Sequence, residues 1–295
     1  MQTYIFQAKI YINFRNFAYS LKYKGGFMKD KRVLVVSSEV IPYLPENELS
    51  TTSFETAKMI HGKGGQTRIF MPRFGLINER RHQLHEVIRL SGMNLVINDM
   101  DMPLIIKVAS IPKERMQVYF IDNDEYFKRK ALFSDEDNNL FEDNDERAIF
   151  FAKGVVETVK KLNWAPDIIH IHGWLASLLP LYIKEYYKDD PLFAGSKIVT
   201  SVYNNGFEGT LNKEFSNKIK FDNIEESKIE SISNPNYTNI LINAIENSDA
   251  VIKASEELPS ELEEFLETSE KPVLDYFHVS EFDTAYTEFY LNKVL

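Results

Sequence analysis

The chain contains no cysteine among its 295 residues. Disulfide bonds, thiolate metal sites and a cysteine nucleophile are therefore excluded. A reducing compartment fits this composition, and we expect a cytoplasmic protein. Long apolar runs are also missing, because none approaches the roughly 20 residues that a membrane-spanning helix needs. We therefore expect no membrane partner.

Positive charge is in the minority. Lysine and arginine together number 34 against 44 acidic residues, which gives a formal net charge of -10. Such a protein should repel nucleic-acid phosphates, and no basic stripe in the sequence indicates otherwise. We predict no nucleic-acid partner.

Acidic residues are absent from residues 1–27, which carry four cations and many aromatic side chains. Charges interrupt every apolar run there, so a secretory signal peptide is rejected, and a mitochondrial presequence would be richer in serine and arginine. Met28 stands just before the first predicted strand, where a bacterial start codon would normally fall. We expect residues 1–27 to be a poorly ordered extension or an over-called start, and residues 28–295 to form one domain.

The hydrophobic pattern predicts an α/β fold. Residues 32–38 form a continuous β-branched run, typical of a strand that is buried on both faces, and a helix over 50–60 and a strand over 67–71 complete a βαβ unit. Short strands without helices over 86–110 predict a small antiparallel insertion. The alternation then resumes, which predicts a Rossmann-like, doubly wound, mostly parallel sheet. The later predicted elements are helix 145–162, strand 167–172, helix 173–187, strand 197–202, helix 237–247, strand 249–254 and helices 260–267 and 280–294.

Ligands of open α/β sheets bind at the carboxyl ends of the strands, which directs attention to three turns. Residues 39–49 follow the first strand and contain no glycine, so they lack the cradle that dinucleotide folds offer to phosphate. Residues 170–174 end a buried strand. Residues 201–209 combine amides, an aromatic ring and glycines, which indicates either a polar turn or a sugar site.

His170 and His172 share one face of their strand. Two histidines at this spacing could ligate zinc, but no third ligand is evident. The alternative is a hydrogen-bonded strand end with Trp174 packed beneath it. We predict neither a metal nor a cofactor.

Five segments, taken in order, resemble the glycogen/starch synthase family of the bacterial, ADP-glucose-using type. The resemblance covers roughly residues 31–265. It implies the N-terminal half of a GT-B glycosyltransferase, a family with two facing Rossmann-like domains that transfers glucose from ADP-glucose to the end of an α-1,4-glucan with retention. The family's C-terminal domain holds most of the donor nucleotide, and we expect that this chain ends before such a domain could fit. The segments are 35–40 with Pro42, 118–122 with Tyr126 and Phe127, 166–176 through Pro180, 201–209 and 248–255.

The donor-phosphate loop departs from the family pattern. The lysine of the family's lysine-x-glycine-glycine motif falls on Pro45, and its two glycines fall on Asn47 and Glu48. A cation is lost and a carboxylate is gained. A like-charge contact at ~4 Å costs up to about 4 kcal/mol at an effective dielectric near 20. The resemblance therefore implies a degenerate donor loop.

The catalytic positions depart as well. The aspartate of the family's histidine-aspartate-tryptophan segment is replaced by Gly173, and its active-site histidine by Tyr203. His172, Trp174 and Asn204 match the family pattern. We therefore assign no catalytic residue and take His172, Trp174, Tyr203 and Asn204 as candidates for binding glucan or another sugar.

Two hypotheses about function follow. In the first, the chain is a non-catalytic relative in glycogen metabolism that binds an α-glucan or a partner protein. In the second, it is an active ADP-glucose-dependent glucosyltransferase that needs a separate C-terminal donor-binding chain. An unrelated nucleotide-binding protein is a third alternative, which the lack of a glycine-rich loop disfavours.

Overall fold

The computed structural model describes residues 28–295, and a single large sheet runs through them. The predicted extension over residues 1–27 lies outside the described residues. The first strand is formed by a β-branched run whose last five residues are buried, as expected for a central strand. The ten strands are β1 (Arg32–Ser37), β2 (Gln66–Pro72), β3 (His85–Glu86), β4 (Met93–Ile97), β5 (Met100–Ser110), β6 (Gln117–Asp122), β7 (Ile168–His172), β8 (Lys197–Val202), β9 (Ala250–Lys253) and β10 (Val273–Leu274).

The strand order is β10-β9-β8-β7-β1-β2-β6-β5-β3, and β4 pairs with β5. All pairs from β10 to β6 are parallel. The chain winds outward from β1 in both directions, so the strand order reverses between β1 and β7. This confirms the predicted doubly wound, mostly parallel sheet, and it identifies the crevice beside β1 and β7 as the place where such folds bind ligands.

The predicted antiparallel insertion is confirmed by β3, β4 and β5, which pair antiparallel with their neighbours. The first of the short strands predicted within residues 86–110 does not extend beyond Glu86. Residues after it turn back, because Leu90 and Ser91 donate their backbone N–H groups to the carbonyl of Val87. Ile88 is left 83% exposed, so its apolar character does not mark a buried strand.

Helices cover both faces of the sheet. None of those between Met28 and Leu295 is long and apolar enough to cross a membrane. The α-helices are α1 (Glu48–Gly62), α2 (Glu79–His82), α3 (Asp124–Phe127), α4 (Asn144–Lys161), α5 (Leu179–Leu181), α6 (Phe215–Lys220), α7 (Tyr237–Glu246), α8 (Ser260–Thr268) and α9 (Phe282–Phe289).

The helix predicted over 173–187, in which Pro180 is expected to cause a kink or a restart, is interrupted and restarts at Pro180. The structure has a 3₁₀ turn at Trp174–Ala176, then the short α5, then a π-helical turn at Tyr182–Tyr186. Pro180 lies in the first turn of α5 and cannot donate an N–H, so an uninterrupted helix from Gly173 is not formed.

The helix predicted over 280–294 is present as a 3₁₀ turn at Val279–Glu281, α9 and a π-helical turn at Tyr290–Val294. It packs beside α1 and against one face of the sheet. The contact includes a polar bond, since the Tyr290 hydroxyl lies 2.6 Å from Nδ1 of His170. Tyr290 is fully buried there.

Candidate functional site at the carboxyl ends of the strands

The candidate site lies at the switch point of the sheet. Ser37, the last residue of β1, is the register partner of His172, the last residue of β7. His172 is in turn the partner of Ser201 on β8. The three turns singled out by the sequence therefore leave neighbouring strands at one edge.

The turn after β1 is held by hydrogen bonds within the chain. The carbonyl of Glu39 accepts from the hydroxyls of Ser37 at 2.6 Å and Ser53 at 2.9 Å. The Glu39 carboxylate is buried, and its Oε2 accepts from Nδ2 of Asn47 at 2.7 Å. Burial raises the pKa of Glu39, and the bond from Asn47 partly offsets that rise.

Asn47 also caps helix α1. Its side-chain oxygen accepts from the backbone N–H of Ser50 at 2.7 Å, and its own N–H donates to the Ser50 hydroxyl at 2.9 Å. This reciprocal cap explains why α1 begins at Glu48, two residues before the predicted start. Both polar groups of Asn47 that form this cap are thus engaged at the start of the helix.

The Glu48 carboxylate accepts a close hydrogen bond from the hydroxyl of Ser255, which follows β9. The same Ser255 hydroxyl accepts from the backbone N–H of Asn204 at 3.0 Å. The carboxylate in the first turn of α1 is therefore hydrogen-bonded to the segment that follows β9.

A cavity of about 420 Å³ lies between this helix terminus and the segment that leads to α9. In the part of the chain from Met28 onward, its lining includes carboxylates but neither lysine nor arginine. A diphosphate placed here would meet negative charge without the ammonium or guanidinium groups that bind phosphate. The lining residues are Glu46, Asn47, Glu48, Thr51, Thr52, Tyr276, Phe277, His278, Val279 and Phe282.

His172 and Tyr203 form a buried pair. The Tyr203 hydroxyl lies 2.7 Å from Nδ1 of His172, and both residues are essentially inaccessible to solvent. Burial lowers the pKa of His172 to about 3 and raises the pKa of Tyr203 well above its usual range. Both side chains are thus neutral at physiological pH, and neither can pass a proton to solvent at this edge.

His170 belongs to the same cluster, with its ring centroid 4.0 Å from that of His172. Its Nε2 lies 2.8 Å from the Ser201 hydroxyl and its Nδ1 contacts Tyr290. Both ring nitrogens of His170 are therefore engaged by hydroxyls. No group of three or more metal-ligating side chains occurs among residues 28–295.

Gly173 has a left-handed φ of 82°. A Cβ at this position would lie 2.6 Å from Oγ of Ser38 and 2.7 Å from Cδ1 of Leu49, closer than a real Cβ approaches its neighbours. An aspartate would not fit here without movement of these groups. Both the close packing and the left-handed backbone conformation therefore favour glycine at this position.

Trp174 is buried beneath an aromatic cluster and does not face solvent. Its ring centroid lies 4.7 Å from that of Phe133 and 5.1 Å from that of Phe207. Phe207 in turn contacts the ring of Tyr237 edge-on at 5.9 Å. Trp174 therefore supports Phe207 and would contact a ligand only if this packing opened.

Asn204 is the exposed member of the predicted group, and it lines a polar cleft of about 520 Å³. The cleft has amides on two sides, an aromatic edge from Phe207 and one carboxylate, Glu208. These are the groups that hold sugar hydroxyls and pyranose faces. Its lining residues are Asn204, Gly206, Phe207, Glu208, Gly209, Asn236, Tyr237, Thr238 and Pro259.

The structure thus brings His172 and Tyr203 together in the interior and places Asn204 on a separate surface cleft. Pro45 and Asn47 lie on the exposed turn before α1, and Glu48 is the exposed first residue of that helix. Sequence reasoning missed Glu39, Ser255 and Asn236. Glu39 lies in the turn over 39–49 and Ser255 ends the family segment 248–255, so both carried a signal in the sequence, whereas Asn236 carried none.

Comparison with known families gives a single match region over most of the chain. The starch synthase catalytic domain family model matches residues 32–271. The glycogen synthase of Chlorobium luteolum is 36% identical over 228 residues, which cover 77% of this chain and 46% of that protein. The glycogen synthase of Chlorobium limicola is 35% identical over 225 residues, covering 76% and 45% respectively. The chain therefore spans about half the length of the curated relatives it matches.

A solved structure gives the same result for the fold. The catalytic domain of starch synthase IV from Arabidopsis thaliana, bound to ADP and acarbose, superposes with a TM-score of 0.62. The match covers 76% of this chain and 44% of that chain, at 17% sequence identity. The doubly wound domain described above is thus the fold of one half of a GT-B starch synthase catalytic domain.

Proposed function

This chain belongs to the starch synthase catalytic domain family, and from that premise we propose that its domain binds α-glucan without transferring glucose from a donor held at the α1 terminus. The cleft around Asn204 is the proposed glucan surface. A role in glycogen metabolism as a glucan-binding or partner-binding relative follows.

The observation that carries this proposal is the internal bonding of the donor-loop side chains. Asn47 caps α1 and donates to Glu39, while Glu48 accepts from Ser255. A donor diphosphate would have to displace these bonds and also overcome the charge of Glu48. The nearby cavity offers no lysine or arginine from residues 28–295 in compensation.

The packing around Gly173 supports the same proposal. The resemblance puts the family's aspartate at Gly173. The space that a side chain would need there is filled by Ser38 and Leu49. Likewise, Tyr203, on which the resemblance puts the family's histidine, is bonded through its phenol to His172.

Glucan binding is supported by the contrast between Asn204 and its neighbours. The side chain of Asn204 makes no hydrogen bond to another residue between Met28 and Leu295, and only its backbone N–H is engaged by Ser255. Its amide is therefore free to bind sugar hydroxyls, next to the Phe207 ring.

The test is co-sedimentation of the chain with glycogen, together with an assay of ADP release from ADP-glucose. We expect sedimentation with glycogen and no donor-dependent ADP release. Asn204→Ala should reduce sedimentation, whereas Asn94→Ala, an exposed substitution on β4, should not. ADP release above background by the chain alone would contradict the proposal.

The second candidate is an active glucosyltransferase assembled with a separate donor-binding domain. It is favoured by the match to only about half of each glycogen synthase named above. Addition of cell extract to the ADP-release assay separates the two. Turnover that appears only with extract, and that is lost in Asn204→Ala, would support the second candidate.

A further inference from the structure

The opposite, amino-terminal edge of the sheet carries a group of arginines on a protein that is otherwise acidic. Arg68 on β2 and Arg115 in the turn before β6 line one cavity of about 260 Å³. A third arginine, Arg32, lies at the start of β1. Its register partner on β2 is Gln66, which also lines the cavity. A concentration of cations here contrasts with the net charge of -10.

Arg68 and Arg115 are not paired with acidic side chains of the part of the chain that the structure describes. Neither Arg68 nor Arg115 forms an ion pair among residues 28–295, where the other ion pairs are made by different cations. Residues 1–27 contain no aspartate or glutamate and so offer no side-chain carboxylate to these arginines. Nη1 of Arg68 is buried without a hydrogen-bond partner in the described chain.

Arg68 is held in a fixed position by aromatic rings. Its guanidinium carbon lies 4.8 Å from the centroid of Trp164 and 5.7 Å from that of Tyr119. Such contacts orient a planar guanidinium without neutralising its charge. Burial lowers the pKa of Arg68, and the positive charges of Arg32 and Arg89 lower it further, with Tyr119 opposing them.

Neutral donors complete the cavity. The Tyr119 hydroxyl donates to Oε1 of Gln117 at 3.1 Å, so the amide nitrogen of Gln117 remains a donor. The hydroxyl of Thr67 is buried without a partner within residues 28–295. Both residues line the cavity.

We propose that this cavity is a binding site for a small phosphate-bearing anion, held by Arg68 and Arg115 with Thr67 and Gln117 as neutral donors. Planar guanidinium groups bind phosphate oxygens in pairs, which favours phosphate over a halide. The site lies at the end of the strands opposite the Asn204 cleft, so it is separate from the proposed glucan surface.

Calorimetry of the full chain with inorganic phosphate tests this, with sodium chloride at matched ionic strength as the reference titrant. Arg115→Gln removes an exposed guanidinium, and we expect it to weaken phosphate binding by about tenfold, the effect of one charge-assisted hydrogen bond. Lys113→Gln is the matched control, because Lys113 lies in the same turn, has a positive φ like Arg115 and does not line the cavity.

Saturable phosphate binding that Arg115→Gln weakens and Lys113→Gln leaves within about twofold would support the site. Equal losses in the two variants would overturn it, since they would indicate diffuse attraction to positive charge. Absence of saturable binding at millimolar phosphate would overturn it too. Arg68→Gln provides a second test in the same titration and should match Arg115→Gln if it folds.

Two further probes distinguish the source of the phosphate. A hexose monophosphate should compete with inorganic phosphate for the cavity. Vesicles of phosphatidylcholine and phosphatidylglycerol should not bind in a way that depends on Arg115. Arg115-dependent vesicle binding without free-phosphate binding would overturn the proposal in favour of a lipid surface.

Discussion

The two sides of the carboxyl edge use their polar groups differently. At the start of α1, Asn47 and Glu48 bond to other side chains of the same domain. In the cleft around Asn204, the amide faces solvent beside an aromatic ring. The first arrangement stabilises the domain, and the second is available to a ligand. The difference supports the proposal that this edge binds a sugar at the cleft, while the residues at the start of α1 serve the stability of the domain.

The largest expected effect concerns the support of the cleft. Trp174→Ala removes a buried indole between Phe133 and Phe207, and we expect a loss of about 3–5 kcal/mol in the free energy of unfolding, measured by urea denaturation. Trp174→Phe should retain most of the stability and the glycogen binding. Unchanged stability in Trp174→Ala would contradict a packing role and would place the indole in contact with ligand.

The pH dependence of the free energy of unfolding tests whether His172 is held neutral in the interior. The pKa of His172 is about 3 in the folded state, because of burial, and ~6.5 in the unfolded chain. The unfolded state therefore binds more protons between these values, so stability is lost as the pH falls below about 6.5, by up to about 1.4 kcal/mol per pH unit for this group.

Urea unfolding at several pH values between neutral and mildly acidic measures this slope. His172→Gln should reduce the slope, and buried His170, whose pKa burial also lowers, should keep a residual slope of the same sign. The same change at exposed His85 should leave the slope unaltered. An equal slope in parent and His172→Gln proteins would show that His172 is not held neutral in the folded state.

A smaller effect is expected at the partner of His172. Tyr203→Phe leaves Nδ1 of His172 without its hydroxyl partner, and Nε2 already has none within the described residues. We expect a loss of about 1–3 kcal/mol in the free energy of unfolding, with unchanged glycogen binding by the folded protein. Weaker binding at unchanged stability would instead make Tyr203 a ligand contact.

The smallest expected effect is on ligand binding in the cleft around Asn204. Asn204→Ala removes one amide from the cleft, and we expect roughly twofold to tenfold weaker binding of a maltooligosaccharide, the equivalent of about 0.5–1.5 kcal/mol. Unfolding stability should change little, because only the backbone of Asn204 is bonded to Ser255. Unaltered affinity for the maltooligosaccharide would show that the cleft is not the glucan-binding surface.

The sheet could be predicted from the sequence because buried parallel strands are written as β-branched runs, as in residues 32–37 and 197–202. The family resemblance could be recognised for the same reason, since its segments follow those strands in order. Helix 173–187 could not be drawn correctly, because Pro180 permits either a kink or a restart and only the packing decides between them.

The site was less accessible to sequence reasoning. Tyr203 was a candidate sugar contact. It follows Ser201 by two residues, so the two side chains point to the same side of the sheet. Ser201 is the register partner of His172, and the Tyr203 ring therefore lies in the interior beside His172. The bonds that Asn47 donates to Glu39 and that Ser255 donates to Glu48 join residues 8 and 207 positions apart. Spacing along the chain gives no sign of such pairs.

Whether the domain binds glucan but not the sugar donor is decided by calorimetric titration of the unaltered chain with ADP-glucose and, separately, with a maltooligosaccharide. We expect saturable binding of the oligosaccharide and no saturable binding of ADP-glucose. Saturable binding of ADP-glucose by this chain alone would contradict this expectation, because the side chains at the start of α1 would then have to yield to a diphosphate.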